Sequence, residues 1–221
     1  MADPSRITDY ASLLANVENY LARDDLQAFA ATFVQMAEDR FNTDLKVVDM
    51  HKATGDVAIV DDGVAQPADF VDWVAVRWKP IAGAVQRPLY LAYREPDSPE
   101  FRHRHRPTGV PQFYTLLAGR VVVTPPIPGT LNLTYYARLQ PLTVDAPTNW
   151  LIQKAPMVYL YGTLLEAMLF QKDEERAAQW FGLLDKRLAA VFGAGDTQKT
   201  ATRTARTATD VAEATAAKAI N

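Results

Sequence analysis

The chain has 221 residues, of which 48% are hydrophobic and 10% aromatic, and its formal net charge is −3. That content supports a substantial core, in one large domain or two small ones, and the acidic balance excludes a globally basic nucleic-acid binder. Cysteine is absent, which removes disulfide scaffolds, thiolate metal sites and cysteine nucleophiles, and fits a reducing compartment.

The opening MADPSRITDY has no apolar signal core, and no run approaches the roughly 18 apolar residues of a membrane span. A soluble protein made in the cytoplasm, with no membrane contact, is expected. Residues 8–42 read as two helices. Thr8 or Asp9 caps the first, whose stripe is Leu13, Leu14, Val17, Tyr20 and Leu21. Arg23-Asp24-Asp25 breaks the pattern, with Asp25 able to cap a second helix carrying Leu26, Phe29, Phe33, Met36, Ala37 and Phe41.

From about residue 46 to 140 the period shortens to that of strands. Leu45–Met50 reads as the first strand. Val57–Val60 is an apolar patch ahead of an Asp61-Asp62-Gly63 turn, and Phe70–Lys79 alternates Trp73, Ala75 and Arg77 against Val74, Val76 and Trp78. Pro88–Arg94 fits either a short helix or a strand, and residues 95–111 read as a long exposed loop. Phe113–Leu117, Arg120–Thr124 and Leu131–Leu139 are the clearest strands. Turns at Ala118-Gly119 and Pro125–Gly129 join them into an expected meander of a small sandwich or partial barrel.

Thr148–Phe192 returns to helix, as a second pair. Tyr161, Leu164, Leu165 and Met168 share one face of the first helix. Ala177, Trp180, Phe181, Leu184, Leu188, Val191 and Phe192 share one face of the second. Asp173 is positioned as an N-cap, with Glu174 and Glu175 in the first turn, Lys186 and Arg187 late, and Gly193 and Gly195 as the stop. Residues 193–221 turn to Ala and Thr with spaced charges, a composition that is mobile or marginally helical on its own.

The expected fold class is therefore α+β. The N-terminal helical pair (1–45) and the C-terminal helical pair (148–192) pack as one four-helix bundle. An antiparallel β-sandwich or partial barrel (46–147) is inserted between them, and an extended tail (193–221) docks on a partner.

Chemistry-bearing patterns are sparse. Arg102-His103-Arg104-His105-Arg106 reads as a metal site, as a basic loop meeting phosphate or an acidic partner, or as a solvated charged loop. Flanking arginines oppose the first of these. Asp24-Asp25, Asp61-Asp62 and Glu174-Glu175 sit at turns and helix starts, where capping and solvation account for them better than acid–base catalysis. Trp73, Trp78, Trp150, Trp180 and Tyr135-Tyr136 form either core or a ligand platform. No spacing of a nucleophile elbow, zinc helix, P-loop or dinucleotide turn occurs.

The order of several short blocks adds a resemblance. Ala37-Glu38 lies near the end of the first helical pair. Gly109-x-Pro111-x-x-Tyr114-Thr115 precedes a hairpin, and Leu133-Thr134-Tyr135-Tyr136 follows a proline-rich turn. Then come Thr148-Asn149-Trp150-Leu151, Tyr159-Leu160-Tyr161-Gly162 with Glu166-Ala167, and Asp173-Glu174-Glu175-Arg176-Ala177 with Trp180. Over residues 8–192 this resembles the head-to-tail adaptor (connector) proteins of tailed bacteriophages. Met157 stands after Pro156 where that family usually has an acidic residue, and the Ala/Thr tail lies outside the resemblance.

The resemblance implies a structural virion protein of the neck, without catalysis or cofactor. It implies a ring, commonly twelve-fold, under the portal protein. The ring extends the DNA channel without sequence-specific binding and offers a platform to a downstream tail or nozzle protein. On that reading Lys199, Arg203, Arg206 and Lys218 of the tail meet acidic portal surface, and Arg102, His103, Arg104, His105 and Arg106 contact a tail protein or the lumen. The competing expectation is a non-enzymatic β-sandwich module that binds host glycan or peptide through Trp73, Trp78 and Tyr135.

Overall fold

A computed structural model describes residues 6–81, 87–103 and 109–193. The fold is mixed α+β, and two compact units are distinguished. Of the described residues, one combines those up to Asp49 with those from Leu139 to Gly193; the other is Met50–Arg138.

In the helical unit, α1 (Tyr10–Leu21) starts at Asp9. The Asp9 carboxylate accepts the Ser12 N–H at 2.8 Å, and Ser12 Oγ accepts the Asp9 N–H at 3.0 Å. The backbone N–H of Ser12 holds the Asp9 carboxyl below its ordinary pKa. The helix closes on Ala22, in the left-handed region at φ 49°. Asp25 caps nothing: the Arg23 guanidinium takes its carboxylate at 2.7 Å, and the chain runs through a 3-10 helix, Asp24–Phe29, before α2 (Ala30–Asp44).

The buried face of α2 is Ala30, Phe33, Val34, Ala37, Glu38, Phe41 and Asn42. Phe29 and Met36, expected on that face, are 43% and 40% exposed. The stripe is rotated because two polar residues belong to it.

The predicted helix after Thr148 is two helices, α4 (Trp150–Lys154) and α5 (Pro156–Phe170), broken at Ala155. Proline has no N–H and disfavours helical geometry in the residue before it, so Pro156 opens a new helix at its first position. Nearly every turn of α5 is buried, from Val158 to Met168. It is the central rod of the unit, with α2 and α1 packed on it, and its polar exceptions need internal partners.

The helix ends where Lys172, at φ 58°, lets Asp173 N–H reach Met168 O at 3.0 Å. Asp173 then caps the last helix, α6 (174–193), its Oδ1 accepting the Arg176 N–H at 3.1 Å. Trp180 packs on Tyr20 and Tyr161 at 5.9 and 5.7 Å, and Phe192 packs on Trp150 at 6.1 Å. Phe181, expected on the same face, is 55% exposed.

The β unit holds two four-stranded sheets. One is ordered β1 (His51–Ala58), β8 (Thr130–Ala137), β3 (Phe70–Lys79), β4 (Leu89–Tyr90). The other is ordered β2 (Gly63–Ala65), β7 (Arg120–Thr124), β6 (Phe113–Leu117), β5 (Ala92–Tyr93), with β5 parallel to β6. Val64, Val121 and Val123 from one sheet meet Val76, Trp78, Leu131, Leu133 and Tyr135 from the other in a single apolar cluster.

Three expectations are corrected here. Leu45–Met50 is no strand; it is an irregular stretch ending in a 3-10 turn, Val48–Met50, and the first strand begins at His51. The strands at 113, 120 and 131 are no single meander. Only the first two pair, because Pro125, Pro126 and Pro128 cannot donate to a ladder, and the chain crosses to the other sheet, where β8 lies between β1 and β3. The loop at 95–111 contains a helical turn, α3 (Pro99–Arg102), pinned by buried Phe101.

The alternation expected in β3 is interrupted as well. Its register with β8 shifts between Trp73 and Ala75, and the bulge puts Trp73 against the same cluster as Val76 and Trp78.

Candidate functional site

Residues 139–149 form a strap with no regular structure, and a connected set of buried polar groups in the helical unit holds it. Asn42 Oδ1 accepts the Leu139 N–H at 2.7 Å, and Glu38 Oε1 accepts the Leu142 N–H at 2.8 Å. Both acceptors lie one turn apart on α2, aimed inward. Pro147 O accepts the Tyr10 N–H at 2.8 Å, tying the strap to the start of α1.

Asn149 connects the rest. Its Nδ2 donates to Gln140 O at 2.7 Å and to Tyr159 Oη at 2.6 Å, while its Oδ1 accepts the N–H groups of Leu151 and Ile152 at 3.1 and 3.0 Å. Tyr159 Oη donates in turn to Glu38 Oε1 at 3.0 Å. A chain of hydrogen bonds therefore runs from Asn149 through Tyr159 to Glu38, with every side chain in it buried.

Burial pushes the Glu38 carboxyl up, and the hydrogen bonds from Leu142 and Tyr159 only partly offset that. Burial also raises the Tyr159 phenol, and the neighbouring Glu38 carboxylate raises it further.

Two further contacts seat α5. Arg40 Nε donates to Glu166 Oε1 at 2.6 Å, with the Glu166 side chain only 6% exposed. Gly162 lies against Phe41 so closely that a Cβ there would stand 2.5 Å from the ring. The Phe41 ring is itself held edge-on by Tyr159, with centroids 5.5 Å apart.

These are the residues of the short blocks read in the sequence. Glu38 comes from Ala37-Glu38, Asn149 from the Thr148–Leu151 block, Tyr159 and Gly162 from the Tyr159–Gly162 block, and Glu166, Asp173 and Ala177 from the blocks after it. Each caps, clamps or packs. The connection among them was missed in the sequence. The available signal was Glu38 and Asn42 standing at i and i+4 on the apolar stripe of α2.

The chemical candidates fare differently. Trp78 and Tyr135 are 4% and 2% exposed, and Trp73 is half-buried beside them, so the proposed ligand platform is interior. Tyr135 Oη donates to Asp69 at 2.8 Å, and burial together with that carboxylate pushes its pKa up to about 12.

Arg102 and His103 are exposed at the end of α3, whereas Arg104, His105 and Arg106 lie outside the described residues. Among the described residues no group of three His, Asp or Glu side chains is placed to hold a metal ion. Lys199, Arg203, Arg206 and Lys218 also lie outside the described residues. Among the described residues no helix is long and apolar enough to cross a membrane.

One surface of the helical unit is conspicuously apolar. Phe29 and Phe170 stack 5.5 Å apart over the rim of buried Phe33, and Phe170 is 52% exposed, with Leu169 beside it at 45%. Exposed aromatic clusters of this kind mark contact surfaces.

A search of curated proteins finds no match. A family model described as SU10 adaptor protein matches residues 8–210, and so extends into the Ala/Thr tail that the resemblance had left out. With nearly the whole chain matched, and the adaptor-like blocks forming its buried clamp, the chain belongs to the SU10 adaptor protein family, a family of phage head-to-tail adaptors.

Proposed function

We propose that this chain is a structural ring subunit of the virion neck, placed under the portal protein, extending the DNA channel and carrying the platform for a downstream tail or nozzle protein. The family match over residues 8–210 is the observation that carries this reading. The helical unit acts as a scaffold that is repeated around an axis, twelve-fold in the simplest case, through a head-to-tail contact that closes on itself. The apolar surface at Phe29, Leu169 and Phe170 supports burial against another chain. The interior placement of Trp73, Trp78 and Tyr135 speaks against the alternative of a glycan- or peptide-binding platform.

DNA passes the ring without base readout, as the net charge of −3 suits a channel that must not retain phosphate. The test is negative-stain microscopy of the purified chain mixed with the portal protein from the same virion. A second ring stacked on the portal is expected; a portal that stays bare at saturating chain concentration refutes the role.

A further inference from the structure

Where α4 gives way to α5, the two helices, α1 and the residues leading into α1 leave a groove of about 450 Å³ in the helical unit. Buried Ile7, Ile152 and Leu160 form its floor, and Tyr20, Pro156 and Met157 its more open walls. Thr8, Asn16 and Gln153 supply polar edges. Arg6 is the one charged residue among the described residues that line it. Arg6 is exposed and makes no ion pair with any described residue.

The exposed aromatic ridge of Phe29, Leu169 and Phe170 belongs to the same unit and to the same central rod. Helix α5 carries Met157 near its start and Phe170 at its end. Thirteen helical residues separate the two by about 20 Å along the axis and by about 140° around it. Groove and ridge therefore face different ways. A ridge that met its own copy would be one self-complementary patch, whereas a ridge that enters a groove on another face makes a head-to-tail contact, which repeats.

We propose that the ridge of one copy of the chain seats in this groove of the next. The inference rests on the adaptor reading and names the two surfaces through which neighbouring subunits engage. Size and chemistry select this occupant. The groove lies in the volume range of concave sites that enclose a compact group, which leaves room for the Phe29 and Phe170 rings. Met157 adapts its flexible thioether to aromatic faces, and Tyr20 offers a third ring.

Charge selects it as well. Beyond Phe170, Glu174 and Glu175 open α6, exposed and without an ion pair to any described residue. The arginines nearby are engaged, Arg23 by Asp25 and Arg176 by Asp173. Against exposed Lys172 the two glutamates leave the ridge end net negative, and Arg6 is the cation placed to meet it.

The native chain has no cysteine, so placed thiols report the contact directly. Full-length Gln153→Cys, at the groove, and full-length Ala28→Cys, beside Phe29, are mixed with and without the portal protein and treated with a short bismaleimide. Both positions are exposed. A linked dimer with one chain of each kind is expected. A chain carrying both cysteines should give a ladder of trimers and larger species, as a head-to-tail contact requires.

Met157→Asp in the Gln153→Cys chain should lower the mixed yield at least about tenfold, by setting a charge under the aromatic rings. Aspartate in the first turn of α5 suits the helix dipole, so the fold is kept. Arg6→Glu in that chain should lower the yield about fivefold, and Glu174→Lys with Glu175→Lys in the Ala28→Cys chain should restore it. Circular dichroism of each variant reports whether it is folded.

The absence of a mixed link, both in free solution and on the portal, overturns the proposal, as does a folded Met157→Asp chain that links as well as its parent. So does Ala28→Cys linking mainly to itself, the mark of ridge on ridge, or Gln153→Cys linking to the portal protein instead. A ring on the portal without the mixed link removes this contact and leaves the adaptor role standing. A ladder from a chain that never binds the portal supports the contact and removes the adaptor role.

Discussion

Replacing Asn149 separates two roles that one side chain combines. Its Oδ1 caps α4, and its Nδ2 donates to Gln140 O and Tyr159 Oη at 2.7 and 2.6 Å. Asn149→Ala loses the cap, worth about 1 kcal/mol. It also leaves a strap carbonyl without its donor and Tyr159 with one partner fewer, worth about 1–2 kcal/mol more. The expected loss is about 2–3 kcal/mol in urea unfolding followed by far-UV circular dichroism.

Asn149→Asp is the sharper variant. At an exposed N-cap aspartate is about as good as asparagine, and the helix dipole favours its charge. Here the carboxylate would face Gln140 O with no proton to donate, and would share Tyr159 with Glu38. It should therefore be at least as destabilising as Asn149→Ala, whereas Asn149→Ser, which restores only the cap, should recover about 1 kcal/mol. If Asn149→Asp unfolds within about 0.5 kcal/mol of the wild type, capping is all the residue does, and the clamp is wrong.

Gly162→Ala gains about 1 kcal/mol of helix propensity but drives a methyl into Phe41, an overpacking cost of about 1–3 kcal/mol. A net loss in the same unfolding assay is expected, and Phe41→Leu in the same chain should make Gly162→Ala less costly than it is alone. Additive effects would show that the two residues do not touch.

The raised pKa of Glu38 means that the folded chain holds this proton more tightly than the unfolded one. Its contribution is complete below the ordinary value of 4.5 and is lost as pH rises through the folded value. Wild-type stability relative to Glu38→Gln should fall as pH is raised from 4.5 upward, and a difference independent of pH refutes the assignment.

Phe170→Gln should lower the melting temperature of the isolated chain only modestly, because the ring packs on Phe29 and Phe33 yet is 52% exposed, and should reduce ring formation on the portal in microscopy. Unchanged ring formation would free that surface of any role in assembly.

The mixed α+β character was legible because its signals are local. Asp9 and Asp173 cap as their positions suggested, and the Phe113–Leu117 and Arg120–Thr124 pair around Ala118-Gly119 follows from an aromatic-rich and a β-branched run flanking a turn with positive φ. What misled was whatever depends on a distant partner. Leu45 and Val47 are buried like strand residues but in irregular chain. Asp25 looked like a cap until Arg23 took it. The bulge at Trp73 flips a face that strict alternation would have kept, and β8 crosses to the other sheet because both its neighbours there come from far upstream.

The site followed the same rule. Glu38, Asn149 and Tyr159 stood in blocks that invited attention, but their hydrogen bonds join positions up to 121 residues apart, which no spacing reveals.

That separation explains why polar groups occupy this core at all. The N-terminal helices and α5 are divided by the whole β unit, so bringing them together closes a loop of about 100 residues, at an entropic cost of roughly 4 kcal/mol. Apolar stripes alone repay that cost without fixing register: sliding α2 along α5 by a turn exchanges one set of aliphatic contacts for a similar one. Hydrogen bonds do not slide. Asn42 and Glu38 each accept one particular strap amide, and Asn149 satisfies both ends of the strap while capping α4, so a shift of one turn leaves several buried groups unpaired at about 1–3 kcal/mol each. The clamp thus selects one arrangement of the helices whatever is inserted between them. Doubling the insert would add only about 0.6 kcal/mol to the closure cost. A chain built this way keeps a fixed helical scaffold while the segment inserted in it is free to change.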